Sequence, residues 1–155
     1  MEGSYTRMSP EFALVQALET VPVLKGSVNA FQPPKQKRPP FAFYIPTADD
    51  EKQDLDGVTG LQSWSGTVHL VSNGERALQL LCAKAKKALH DMCGTVFATP
   101  EEDQDEGQKG RVLIEYVEIE QSSPDLFEVE VGLYRRVYTV RLDYQTEEIF
   151  EEDGT

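Results

Sequence analysis

The chain has 155 residues, is 39% hydrophobic and carries a formal net charge of −12, a length that suits one domain able to bury its own core. The charge argues against a nucleic-acid-binding surface, which needs a basic patch, and against docking on anionic lipid. No apolar run approaches the roughly 18 residues of a membrane span, and residues 1–7 lack the apolar segment of a secretory signal, so a soluble protein made in a cytoplasm is expected.

The first predicted element is a helix. Ser9 can cap it, Pro10 fits its first turn, and Glu11 suits the positive end of the dipole. Phe12, Val15, Leu18 and Val21 recur at spacings of three and are expected on one buried face, and Pro22 stops the run. Residues 28–31 read as a short strand. Residues 32–40 hold four prolines and three basic residues, Lys35, Lys37 and Arg38, which predicts a stiff extended connector or surface arm. Residues 41–45 are strand-like, with Phe41, Phe43 and Ile45 on one face and Tyr44 on the other. Residues 47–60 read as a long acidic loop, an extended hairpin tip. The strand pattern resumes over 63–71, where Trp64, Val68 and Leu70 point one way with Gly66 between them.

A long amphipathic helix follows. Asn73 is its expected cap and Gly94 its expected stop, and Leu78, Leu81, Cys82, Ala85, Leu89 and Met92 keep the three-four spacing of a buried stripe. Cys82 and Cys93 both fall on this predicted helix. At about 1.5 Å per residue they are too far apart for a disulfide within the chain, and both read as small buried hydrophobes in a reducing compartment. Residues 95–98 suggest a brief strand, 99–110 an acidic loop, and 111–121 a strand central enough to be apolar on both faces at its start. Residues 122–125 form a turn. Phe127, Val129, Val131 and Leu133 then share one face at odd numbers, whereas Tyr138, Val140, Leu142 and Tyr144 share one at even numbers. The period of a strand is two, so a bulge or a break between Gly132 and Val137 must absorb one residue. A single domain over 1–145 with an acidic, disordered tail over 146–155 is expected.

The acid is concentrated in three clusters: Asp49, Asp50, Glu51, Asp54 and Asp56; Glu101, Glu102, Asp103, Asp105 and Glu106; and Glu147, Glu148, Glu151, Glu152 and Asp153. Solvated loops that keep the protein soluble are one reading, and a directed acidic surface is the other. His90 and Cys93 have a spacing that could share a metal, yet zinc needs a third protein ligand and the remaining histidine, His69, lies on a strand. The first acidic cluster lacks the ligand spacing of a calcium loop. No phosphate-binding glycine loop and no nucleophile elbow are present, so an enzyme is not expected, nor is a cofactor. The arginines at 135, 136 and 141 are expected to neutralise Glu128, Glu130 and Asp143 rather than bind single strands through the nearby tyrosines.

The order of these pieces resembles the tail completion and tail terminator proteins of long-tailed bacteriophages. The residues that carry the resemblance are the helix Phe12-Ala13-Leu14-Val15-Gln16-Ala17-Leu18, the proline and strand Pro40-Phe41-Ala42-Phe43-Tyr44, and the loop Asp56-Gly57-Val58-Thr59-Gly60-Leu61. Next come the strand Thr67 to Val71, the long helix from Glu75-Arg76-Ala77-Leu78, and a closing strand from Tyr134-Arg135 to Leu142. The basic arm, the acidic loop over 99–110 and the acidic tail depart from the family pattern.

The resemblance implies an α+β fold with a mostly antiparallel sheet and two helices packed on it. It implies a virion protein, assembled in the bacterial cytoplasm, whose copies form a six-membered ring. That ring would end the tail tube and present it to the head connector, so its partners would be its own copies, the tail tube protein and the connector proteins. DNA would pass through the ring without specific binding, and no membrane would be involved. The candidate interface or lumen residues are Asp49, Asp50, Glu51, Asp54, Asp56, Glu101, Glu102, Asp103, Asp105 and Glu106 on the acidic side, with Lys35, Lys37 and Arg38 on the basic side. Another neck component, such as a head-completion or minor tail protein, and a cytoplasmic adaptor that binds a basic partner through its acidic loops are the alternatives.

Overall fold

The computed structural model describes residues 10–33, 38–54, 57–98 and 111–146. The element order is α1 (Pro10–Glu19), a single 3-10 turn (Pro22–Leu24), β1 (Val28–Ala30), β2 (Phe41–Asp54), β3 (Gly57–Ser72), α2 (Glu75–His90), β4 (Thr95–Ala98), β5 (Arg111–Gln121), β6 (Leu126–Glu128) and β7 (Leu133–Thr146). The fold is α+β, as the sequence predicts: a seven-stranded sheet in the order β1-β2-β3-β7-β5-β4, with β6 also paired to β7. Among the described strands only the β1–β2 pair is parallel.

Both helices lie on one face of this sheet. Trp64, Val68 and Leu70 of β3 and Tyr138, Val140, Leu142 and Tyr144 of β7 point to that face and are buried, as the period-two pattern predicts. The stripe expected on α2 is buried throughout, Met92 included. The face expected on α1 needs correction. Of the four residues expected on it, Leu18 and Val21 are buried, but Phe12 is exposed and Val15 only half-buried, and the helix buries Pro10, Ala13, Leu14 and Ala17 besides Leu18. A stripe at i, i+1, i+4 and i+5 puts two alanines against the core, where small side chains let the helix approach the sheet closely. Large residues at spacings of three drift around the helix instead.

Other boundaries differ as well. The expected cap Ser9 lies outside the described residues. At α2 the cap residue is Gly74, and no side chain caps the helix, so Asn73 does not serve. That helix ends at His90, which leaves Cys93 beyond it, exposed, with its thiol donating to the Glu115 carbonyl at 3.2 Å. Only Cys82 is the buried hydrophobe expected, and burial pushes its thiol up to about 11.

The stretch read as an acidic loop over 47–60 is largely strand. β2 and β3 stay paired out to Asp54↔Gly57, so the two make one long hairpin. β3 extends five residues beyond Gln62, which pairs with Tyr144 at the limit of the β7 ladder, a projection of about 17 Å. A register shift at Pro46/Ala48 turns Asp49 onto the helix face opposite Trp64. A second shift, at Ile114/Tyr116 in β5, keeps Val117 and Ile119 on that face after Val112 and Ile114.

The phase flip near the C-terminus is resolved by a break into two strands. It falls at 129–132, just before the window expected. β6 and β7 form a hairpin through Leu126↔Arg135, Phe127↔Tyr134 and Glu128↔Leu133. The Glu128 carbonyl accepts from the amides of Val131 and Gly132, and Gly132 takes a φ of 66°, a left-handed conformation that a side chain would strain.

Candidate functional site

Topology gathers the points where the acidic segments join the sheet at one of its ends. β2 and β7 run toward this end and β3 and β5 run away from it. The β2–β3 tip lies there, the chain leaves the sheet there at Ala98 and returns at Arg111, and it leaves again at Thr146, one row from Arg111. Residues 47–60, 99–110 and 147–155 contain 15 of the 27 acidic residues but only two of the 15 basic ones, Lys52 and Lys109. The rest of the chain is therefore close to neutral, and the excess acid belongs to segments that join the sheet at this end. The basic connector rejoins the sheet at Phe41, at the opposite end.

Of the residues singled out in the sequence, Asp49 and Arg38 are placed with their side chains, and both are exposed. Asp50, Glu51 and Asp54 lie on the backbone of β2, on its projecting arm. Asp56, Lys35, Lys37 and the acidic residues at 101–106 lie outside the described residues, as does the tail over 147–155.

Asp49 belongs to a structure the sequence does not announce. The Tyr144 hydroxyl donates to its carboxylate at 2.7 Å. Beside it, Glu11 in the first turn of α1 accepts from the Trp64 indole N–H at 3.1 Å and the Tyr44 hydroxyl at 3.3 Å. Burial pushes the Tyr144 hydroxyl far up, and Asp49 and Glu11 act in the same direction. The two carboxylates and three aromatic side chains thus brace the root of the acidic hairpin against the start of α1. Glu11→Ala removes the acceptor of a buried indole, with an expected loss of about 1–3 kcal/mol. Urea unfolding of the variant checks this, with faster amide exchange expected in α1.

At the other end, Arg136 is held by Asp125 in the turn between β5 and β6, with Nη2 to Oδ2 at 2.8 Å and a further contact from Nε. It also reaches the Tyr138 hydroxyl at 3.2 Å. The hydrogen bonds from Arg136 keep the Asp125 carboxyl below its ordinary range. Arg135 pairs with Glu128 at 3.1 Å and Arg141 with Glu118 at 3.2 Å, with Asp143 at 3.6 Å from Arg141. The neutralising role expected for the arginines thus extends to Glu128 and Asp143, and the partner of Arg136 is Asp125 rather than Glu130.

The face of the sheet away from the helices carries a smaller cluster of Phe41, Phe43 and Val71. Phe43 stacks on His69 with centroids 4.4 Å apart and ring planes 10° from parallel, and Thr67 Oγ1 lies 3.1 Å from His69 Nε2. Desolvation, then the charge of Arg135, holds His69 below its ordinary value of 6.5. Below that pH the unfolded chain binds a proton that the native site resists. Stability is therefore expected to fall as pH drops through 6.5, and to level off once the native imidazole also protonates. His69→Gln should abolish that limb in urea midpoints measured against pH.

Exposed apolar side chains concentrate at the β6–β7 hairpin, where Val129 is 79%, Val131 60% and Phe127 50% exposed. Among the described residues no group of three or more His, Cys, Asp and Glu side chains is placed to hold a metal ion, and no helix is long and apolar enough to cross a membrane. No known family matches this sequence, and no curated protein matches it.

Proposed function

We propose that the chain is a structural subunit of a bacteriophage neck, a tail completion or terminator protein whose copies close into a ring between tail tube and head connector. The observation that carries this reading is where the charged segments join the sheet. The acidic hairpin and the exits to both further acidic segments lie at one end, and the basic connector rejoins at the other. A subunit built this way presents one end of like charge when copies stand side by side. In a ring those ends line a bore that repels passing DNA instead of holding it. The order of sequence motifs that resembles the tail completion proteins, borne on an α+β sheet of the kind that resemblance implies, supports the same reading.

Light scattering and negative-stain microscopy of the purified chain test it. A ring, hexameric by expectation, that caps purified tail tubes is the expected result, whereas a lone particle at high concentration that never joins tubes would sink the reading. Neutralising Glu101, Glu102, Asp103, Asp105 and Glu106 together should impair DNA ejection, and particles of unchanged infectivity would remove the acidic bore.

A further inference from the structure

The chain has two asparagines, Asn29 in β1 and Asn73 between β3 and α2, and Asn73 is followed by glycine. The β3–β7 ladder ends at Ser72↔Tyr134 and α2 begins at Glu75, so Asn73 and Gly74 are the whole link between sheet and helix. Asn73 is exposed. Its side chain does not cap α2, because the cap residue is Gly74 and no side chain bonds there. Among the described residues, neither the Asn73 side-chain amide nor the Gly74 N–H takes part in a hydrogen bond. The Gly74 carbonyl alone is engaged, accepting from the Leu78 amide at 2.9 Å.

An asparagine in this state reacts with its own backbone. Glycine has no side chain to shield its nitrogen, and its backbone turns freely. The Gly74 nitrogen can therefore attack the Asn73 side-chain carbonyl carbon. The new N–Cγ bond closes a cyclic imide, the Gly74 N–H proton passes to the departing amide nitrogen, and ammonia leaves. Water then opens the imide at either carbonyl. Opening at Cγ restores the backbone and gives aspartate. Opening at the backbone carbonyl gives isoaspartate, whose main chain runs through Cβ and Cγ and is longer by a methylene. Water is the sole co-reactant, and nothing is oxidised or reduced. Asn29 is placed differently, paired with Phe43 in the β1–β2 ladder and followed by Ala30.

We propose that Asn73 is a modification site, at which the folded chain deamidates without an enzyme and converts the β3–α2 link to aspartate and isoaspartate. The native state leaves the link open to reaction because it is exposed and no hydrogen bond holds the two reacting groups. The new carboxylate falls at the end of the sheet away from the acidic hairpin, since Asn73 lies two residues past Val71, the partner of Phe41. As aspartate it stands just outside the head of α2, where the positive end of the helix dipole favours it. As isoaspartate it lengthens the tie to a helix whose Leu78, Cys82 and Ala85 are wholly buried. The inference does not depend on the ring reading.

Incubation of the full chain in mildly alkaline buffer, followed by peptide mass mapping, tests the site. The peptide that holds Asn73 is expected to gain one mass unit, with release of ammonia, at a rate close to that of the same chain unfolded in urea. The peptide that holds Asn29 is expected to keep its mass. Fragmentation places the gain at residue 73, and isomerisation at Asp56 or Asp153, each also followed by glycine, leaves mass unchanged. Gly74→Ala is expected to stop the gain while the variant keeps a cooperative urea transition, since a Cβ there would meet Ala77 Cβ at an ordinary 3.8 Å and the backbone is extended. A folded chain whose Asn73 keeps its mass while the unfolded chain gains it would show that the fold shields the link and would overturn the inference. Unchanged mass in both states, or a Gly74→Ala chain that reacts as fast as the wild type, would overturn it as well.

Discussion

Gly66→Val is expected to leave the chain unfolded. A Cβ at this position would lie 2.6 Å from Cη2 of Trp64 and 2.8 Å from the Ile45 carbonyl oxygen. Neither can give way easily. The indole is 1% exposed and fixed by its hydrogen bond to Glu11, and the carbonyl is backbone in the β2–β3 ladder. Gly66 itself pairs with Pro46 on one side and Val140 on the other, in the middle of the sheet. Overpacking alone costs about 1–3 kcal/mol, and a clash on two sides with a β-branched residue should exceed about 4 kcal/mol. That is most of the stability of a domain at the lower end of the usual range of roughly 5–15 kcal/mol. Circular dichroism in urea is the measurement, with Gly66→Ala as the milder case that should retain a transition at lower urea. A Gly66→Val chain of native midpoint would refute the close approach.

Trp64→Ala is expected to lose about 3–5 kcal/mol. The side chain is among the largest fully buried ones, packs edge-on to Tyr44 with centroids 6.3 Å apart, and ties the sheet to α1 through Glu11. The two positions are coupled. Without the indole, Gly66→Ala should cost less than in the native background, because one clash has gone. Some cost should persist, because the Ile45 oxygen remains at 2.8 Å. A double-mutant cycle in urea reads this directly, and strictly additive losses would contradict it.

Where burial alone decides, the pattern of residues is enough. The α2 stripe and the inward faces of β3 and β7 follow from spacing because a single face meets the core. The α1 face does not, since its buried residues include Ala13 and Ala17, and spacing arguments weigh large side chains over small ones. The length of β2 was hidden for a different reason. A hairpin arm that projects past its neighbours needs no apolar face, so Asp49, Asp50, Glu51 and Asp54 look like loop while the backbone stays paired. Cys93 lies off the helix because α2 stops two residues short of Met92, the last residue of its stripe, and Met92 is buried from a turn instead.

The candidate site was legible only in its charges. The clusters can be counted in the sequence, but that their segments join the sheet at one end depends on strand order, which brings residues 54, 98, 111 and 146 to that end across pairings no local pattern reveals. Glu11 carries a signal that supports another explanation equally well: an acidic residue in a first helical turn. That it receives Trp64, 53 positions away, is a product of tertiary packing.

The chain has one tryptophan, and it is the indole bonded to Glu11 beneath α1. Its emission is thus a built-in gauge of how closely that helix is seated. Light emitted from so dry a pocket should lie toward the blue, and lifting α1 away would admit solvent and move it toward the red while the sheet persists. The same colour change would report a neighbouring copy that tugs on this end of the molecule, with no label attached.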